Sequence, residues 1–278
     1  MSITVSSVPP QTALPTFARL YGGSVDDFAG LADQLTDVWI VQGADSEVLG
    51  ALGLRVSPAH GSEVMGGALP GAGQHDAALA LLRSALNVQP RLYAYAGDDL
   101  LPAGVLEAAG LQPIGAYTRM SGPLPAALPD VPDGYRIVPL SEVSSADDRL
   151  AAQRTYSDRI GHTLVPDGAG KPDAFGTDDR LGRLAYDAAG VPAGICRATL
   201  EGDQLYLGTP GVRPDARDSD ARDSGLRQAL LLSVCGAARA VGATLLTLDA
   251  WGDTPQERAE DEALGLQTDE FTPIYAAG

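Results

Sequence analysis

Lysine is almost missing from this chain of 278 residues: Lys171 stands alone, and every other basic side chain is an arginine. Positive charge is scarce altogether, with 36 acidic against 19 basic residues and a formal net charge of −17 at pH 7. Such a surface repels nucleic-acid phosphates and anionic lipid, which argues against nucleic acid and membrane as partners. Aromatics reach only 5%, yet hydrophobic residues at 45% still supply material for a sizeable core. The longest apolar runs, such as residues 77–82 and 229–234, fall far short of the roughly 20 residues that cross a bilayer. The N-terminus carries neither a basic segment nor an apolar one, so no secretory signal is expected and a cytoplasmic location is favoured. Cys196 and Cys235 lie in apolar surroundings without a CxxC pattern, which reads as two buried, inert thiols. The three histidines show no ligand spacing, and no metal is expected. Walker A and GxSxG patterns are absent, and Gly71-Ala-Gly73-Gln-His-Asp76 lacks the third glycine of a dinucleotide loop.

Proline marks the organisation of what is present. Residues 123–134 contain Pro123, Pro125, Pro129 and Pro132, a stretch poor in backbone donors and stiffened toward an extended linker. On this reading the chain divides into a first domain over residues 1–124, a linker over 125–134 and a second domain over 135–278. The second half reads as strand (135–139), helix (145–160), a polar loop (165–179) and a three-strand meander (183–187, 193–200, 204–212). A helix (226–241), a strand (244–249), a helix (255–264) and a closing strand (267–275) follow. The first half repeats much of this order: strands at 38–42, 48–57 and 63–69, a helix at 74–87, a strand at 92–96, a helix at 100–109 and a strand at 114–120. A repeat of this length implies duplication and two similar α/β (α+β) domains.

The segment between the meander and the long helix of the second half is unusual. Ala216-Arg-Asp-Ser-Asp220 is followed at once by Ala221-Arg-Asp-Ser-Gly225, a direct five-residue repeat. A strand delivering a loop onto a helix start presents unpaired N–H groups to an anion, and the helix dipole adds to the attraction. Against this, Arg213, Arg217, Arg222 and Arg227 are matched by Asp215, Asp218, Asp220 and Asp223, so the loop carries no net positive charge. The alternative is a surface loop lengthened by repeat slippage, capping an ordinary helix.

With one copy of the repeat removed, Val212-Arg-Pro214-Asp-Ala-Arg217 joins Asp223-Ser-Gly225-Leu-Arg227-Gln-Ala-Leu230-Leu231. That string resembles the signature of the GNAT (GCN5-related N-acetyltransferase) superfamily, Val-x-Pro-x-x-Arg-Gly-x-Gly-x-Gly/Ala before an apolar helix. Here Asp223 replaces the first glycine and Arg227 the last small residue. Thr209-Pro-Gly211-Val212 and the Leu264-Gly265 helix stop are similar to the tandem two-domain subgroup that includes mycothiol synthase-like proteins. The asparagines and methionine that the subgroup carries after Trp251 are replaced here. The resemblance implies two tandem GNAT-like domains, each a mixed, mostly antiparallel twisted sheet flanked by helices. It further implies acetyl-CoA as cosubstrate and transfer of an acetyl group to the amine of a small molecule. Cofactor contacts would fall on Thr209, Gly211, Val212, Arg217, Arg222, Asp223, Ser224, Gly225, Leu226 and Arg227. In the first half the matching stretch, Pro70 to Leu82, puts Gly73 at the arginine position and has no basic residue of its own, as if retained for its fold.

Acyl transfer to an amine needs a base for the ammonium, a donor for the oxyanion and an acid for the leaving thiolate. In the superfamily the acid is often a tyrosine early in the last helix, and none stands there in this chain. Candidate bases are Asp249 and Glu201, candidate acids Tyr206 and Tyr275, and Trp251 is a candidate pocket residue. The competing reading is a catalytically inactive tandem protein that binds a ligand or a partner.

Overall fold

The computed structural model describes residues 3–57, 61–97, 99–155, 165–213 and 223–278. They form two compact units: the chain up to Gly115 together with Thr272–Gly278, and the chain from Ala116 to Phe271.

The first unit opens with β1 (Thr4–Ser7) and α1 (Pro10–Tyr21). Proline at the first helical position costs α1 no hydrogen bond, and Gly22 ends the helix at φ 72°. A 3₁₀ turn (Asp26–Phe28) and α2 (Ala29–Ala32) lead into β2 (Leu35–Gln42), β3 (Val48–Ser57) and β4 (Gly61–Ala68), a continuous antiparallel meander. Helix α3 (Gln74–Val88), β5 (Leu92–Tyr95) and α4 (Ala103–Ala108) follow. The alternation of β3 decides which helix meets which face. Leu52 and Leu54 pack with Leu81 and Leu82 of α3, while Ala51 turns to Phe17 of α1 on the other side.

Gly66 lies inside β4 at φ +91°, where a Cβ would collide with the Ala51 carbonyl oxygen and come within 2.7 Å of the Phe17 ring. Gly66→Ala is expected to cost about 1–3 kcal/mol, read as a lowered urea midpoint at unchanged m-value.

The second unit starts with most of β6 (Gln112–Pro123). It continues through β7 (Arg136–Pro139), α5 (Ala146–Thr155), β8 (Arg183–Tyr186), β9 (Pro192–Cys196) and β10 (Ala198–Glu201). Then come β11 (Gln204–Gly208), β12 (Gly211–Val212), α6 (Asp223–Ala240), β13 (Leu245–Trp251), α7 (Pro255–Ala263) and β14 (Gln267–Ala277). Helix α7 is fixed at its start by a reciprocal capping box between Thr254 and Glu257. Its core sets Leu205, Leu207, Leu246 and Leu248 against Leu226, Leu230, Leu231 and Val234 of α6.

Two features depart from the order read in the sequence. Each closing strand was expected to complete its own copy, but the strands are exchanged. Strand β6 pairs antiparallel with β13, Tyr117 opposite Trp251, while the end of β14 pairs with β5 in the first unit, Tyr275 opposite Ala94. The proline-rich residues 125–134 consequently lie inside the second unit. In addition, 193–200 and 204–212, read as single strands, are each interrupted, at Arg197 and at Thr209–Pro210. Arg197 is buried and turns toward α5, and Pro210 has no N–H to offer a ladder. The interruptions divide the strands of the second unit into one set, β12-β9-β8-β7, and another, β10-β11-β13-β6.

Candidate active site

Where the two strand sets of the second unit part, a cleft of about 600 Å³ opens. Its walls come from the break itself, with Ile195, Arg197, Ala198 and Thr199 from one strand run, Tyr206, Leu207, Gly208 and Asp249 from the others, and Gln153, Phe175 and Thr177 completing them. Gly208 pairs with Asp249 and Ala198 with Leu207, and continuing that register by one residue places Arg197 beside Gly208. Arg197, at the break between β9 and β10, thus follows in line with Gly208 and Asp249, and all three line the cleft. Tyr206 lies two residues along the same strand face and is half exposed to the cleft.

Asp249 brings a carboxylate into this space. It accepts from the Tyr117 hydroxyl and from Arg119 Nε, both at 2.9 Å, and both partners stand on the neighbouring strand β6. Burial and the adjoining Asp249 push the Tyr117 phenol up to about 12, so it remains a protonated donor at ordinary pH. Trp251 tilts against the Tyr117 ring at 4.4 Å between centroids and holds it in place. Glu201 ends β10 as an exposed turn residue and does not line the cleft. Tyr275 belongs to the first unit, where its hydroxyl meets Glu107 Oε1 at 3.2 Å. Of the four acid–base candidates, the structure brings Asp249 and Tyr206 together.

At the Arg197 wall of the cleft lies a cluster that the sequence did not reveal. Arg197 donates from Nε to Gln153 Oε1 at 2.8 Å and from Nη2 to the Ala169 carbonyl at 2.8 Å, and Nη1 stands 3.4 Å from Asp179 Oδ1. Arg149 donates to Asp179 Oδ2, to the Val143 carbonyl at 2.8 Å and to the Leu140 carbonyl at 2.6 Å. All three charged side chains are buried. The sequence signal was a lone arginine within the otherwise apolar run 193–200, a charge where a strand of this core has no use for one.

The predicted cofactor residues have mixed placements. Arg217 and Arg222 lie outside the described residues, as do the side chains of Asp223 and Ser224. Leu226 is buried in the core, and a Cβ at Gly225 would come within 3.2 Å of Pro132. Arg227 is engaged within the protein: Nη1 and Nη2 reach the two oxygens of Asp261 at 2.9 and 2.7 Å, Nη2 also reaches Asp253 Oδ2 at 2.7 Å, and Nε reaches Thr209 Oγ1 at 3.2 Å. Burial pulls this guanidinium down, but the carboxylates of Asp261, Asp253 and Glu257 outweigh it and hold it firmly protonated. The Thr209 hydroxyl in turn donates to Asp253 at 3.0 Å. Arg227 thus ties α6 to α7, with four of its five donors bonded and its side chain buried away from a phosphate. Gly211 and Val212 form β12 against Ile195 and Gly194. The Arg213 N–H bonds Ala193, so strand alternation turns the Val212 N–H to the opposite side, toward the parting from β13.

The corresponding place in the first unit is filled by its own chain. Strands β4 and β5 pair only at Ser62–Leu92 and Glu63–Tyr93, and beyond this the Gly66 N–H donates to the Tyr21 hydroxyl at 2.7 Å. The Ala68 N–H donates to the Leu100 carbonyl at 3.1 Å. A cavity of about 530 Å³ does lie at the start of α3, where Arg19 from α1 faces Gly71, Gly73 and Gln74. That arginine, distant in sequence, supplies the basic residue the local stretch lacks. Elsewhere, burial raises both cysteine thiols, Cys235 to about 12, leaving them un-ionised. Among the described residues no cluster suited to a metal ion occurs, and no helix is long and apolar enough to cross a membrane.

Two units built as a mixed, mostly antiparallel sheet flanked by helices, with parallel central strands that part, define the acetyltransferase-like fold class. Solved structures agree. A GCN5-related N-acetyltransferase from Sphaerobacter thermophilus is similar over 99% of this chain and 95% of its own, with a TM-score of 0.54 at 19% identity. A probable N-acyltransferase from Enterococcus faecalis V583 matches over 99% of this chain and 72% of its own, with a TM-score of 0.51 at 10% identity. A GCN5-related N-acetyltransferase from Anabaena variabilis covers 98% and 72%, with a TM-score of 0.50 at 11% identity. The chain has the GCN5-related N-acetyltransferase fold across both units. No family model matches the sequence, and no curated protein matches it.

Proposed function

We propose that the second unit is an N-acyltransferase that moves the acetyl group of acetyl-CoA onto the amine of a small molecule. The observation that carries this reading is the parting of β11 from β13 after Gly208 and Asp249, beside a cleft of about 600 Å³ that holds the Asp249 carboxylate. A thioester lying in the parting would meet the Val212 main chain on one strand and the end of β13 on the other. The start of α6 offers helix N–H groups to the anionic end of the donor, as α3 does in the first unit beside Arg19. The first unit's equivalent strand donors are already bonded to Tyr21 and Leu100, which favours the second unit as the site of transfer.

In this scheme the ammonium first gives one proton to Asp249, which passes it to solvent; the free amine then forms the new amide bond, the C–S bond breaks, and a second proton leaves the nitrogen by the same route. Tyr206, on the same strand face, gives its hydroxyl proton to the departing thiolate and recovers one from water. Arg119 and Tyr117 donate to the Asp249 carboxylate and fix its direction. Calorimetric titration with acetyl-CoA is expected to show binding in the micromolar to low millimolar range, the ordinary window for such substrates. Absence of heat at millimolar acetyl-CoA, with no thiol release in the presence of amines, sinks the reading.

A further inference from the structure

We infer that the acceptor carries a carboxylate as well as its amine, and that Arg197 is the residue that recognises it. This rests on the transferase reading of the same cleft and adds the substrate class. The argument starts from charge. Two guanidinium groups, Arg149 and Arg197, share the single carboxylate of Asp179, and all three side chains are at least nine-tenths buried. Among the described residues of this cluster, one unit of positive charge is therefore left over where water screens it poorly. Asp173, a more distant acid acting on Arg197, is exposed and spends one oxygen on the Asp179 N–H. A buried, uncompensated charge costs several kcal/mol, and a site that tolerates it gains that much when an anion arrives.

Geometry makes the same point. Arg149 is bonded to two backbone carbonyls and Asp179 and lines a different cavity, whereas Arg197 forms part of the wall of this cleft. Its bonds to Gln153, Ala169, Thr177 and Asp179 use at most four of the five donors a guanidinium possesses. At the other end of that line stands Asp249, two strand spacings or about 10 Å away between α-carbons. Only Gly208 lies between them on that face. The cleft is thus cationic at one end and anionic at the other, the complement of a zwitterion: ammonium toward Asp249, carboxylate toward Arg197. The acidity of the whole surface would by itself suggest a purely cationic acceptor, and this local inversion separates the two.

The test is a thiol-release assay with acetyl-CoA and paired acceptors, each free acid beside its primary amide: L-leucine, L-phenylalanine, β-alanine, 4-aminobutanoate and 5-aminopentanoate. At least one acid should exceed its amide in kcat/KM by about 10- to 100-fold, the worth of a charge-assisted hydrogen bond in a buried site, and chiefly through KM. Arg197→Gln should bring that ratio within about threefold. Acids and amides turned over equally by the wild-type protein would overturn the inference while leaving the transferase reading intact. So would a ratio that survives in Arg197→Gln. If no compound of either series releases thiol, the transferase reading is what fails, and calorimetry with the same pairs decides the carboxylate site. Binding of acids alone upholds it, and the absence of any preference overturns it. The wild-type comparison needs no variant, so a poorly folding Arg197→Gln does not remove the test.

Discussion

Replacing Arg227 with methionine is expected to lower the stability of the second unit by about 3–5 kcal/mol, the usual cost of breaking a buried ion pair from one side. Its side chain is 3% exposed, and its partners Asp253 and Asp261 are 4% and 1% exposed. Methionine fills most of the arginine volume, so the loss would come from electrostatics more than from a cavity. Two carboxylates would be left in a low-dielectric space, one of which, Asp253, already has an oxygen (Oδ1) without a hydrogen-bond partner. Equilibrium urea unfolding reads the effect as a fall in midpoint at constant m-value. The combined variant Arg227→Met, Asp253→Asn, Asp261→Asn removes the charges together and should recover at least half of the loss, because no ion then remains unpaired. A single-variant cost below about 1 kcal/mol would show instead that water reaches the cluster.

The same arginine shows what a sequence discloses and what it withholds. Its anomaly was visible, since a charged residue stood where the resemblance called for a small one. Its partners were not, because Asp253 and Asp261 reach it from a different helix and loop, and nothing in a one-dimensional pattern pairs position 227 with position 261. Local periodicity carried the elements well. Strand β3 spans Val48–Ser57 as its bounding turns foretold, and α3 follows the apolar stripe of Leu81, Leu82 and Ala85. What periodicity does not encode is the choice of partner. Strands β6 and β14 have the alternation of closing strands, yet each pairs with the other copy's central strand, because edge pairing depends on which backbone is nearby. The cleft was half legible for the same reason. Asp249 and Tyr206 could be named from strand ends, while Arg197, Tyr117 and Arg119 join them only through register across strands distant in sequence.

Asp249→Asn should lower kcat by about 10²- to 10⁴-fold, the range for removing a positioned acid–base group, while leaving the affinity for acetyl-CoA essentially as it was. The substitution is chosen because an asparagine oxygen can still accept from Tyr117 and Arg119, both at 2.9 Å in the wild-type protein. The shape of the cleft is thereby kept, and what disappears is the capacity to hold a proton. Folding stability is a built-in control. The Arg119–Asp249 pair is 46% and 41% exposed, so solvent screens it and its loss should cost no more than about 1 kcal/mol. A large kinetic effect with a small thermal one would therefore locate Asp249 in the reaction, not in the scaffold. Saturating acceptor should not restore the rate, since a missing base is not a missing binding contact. Retention of more than about a tenth of wild-type kcat in Asp249→Asn, with loss of turnover in Glu201→Gln, would move the base to the β10–β11 turn. That outcome would leave Asp249 a charged wall of the cleft with no part in proton transfer.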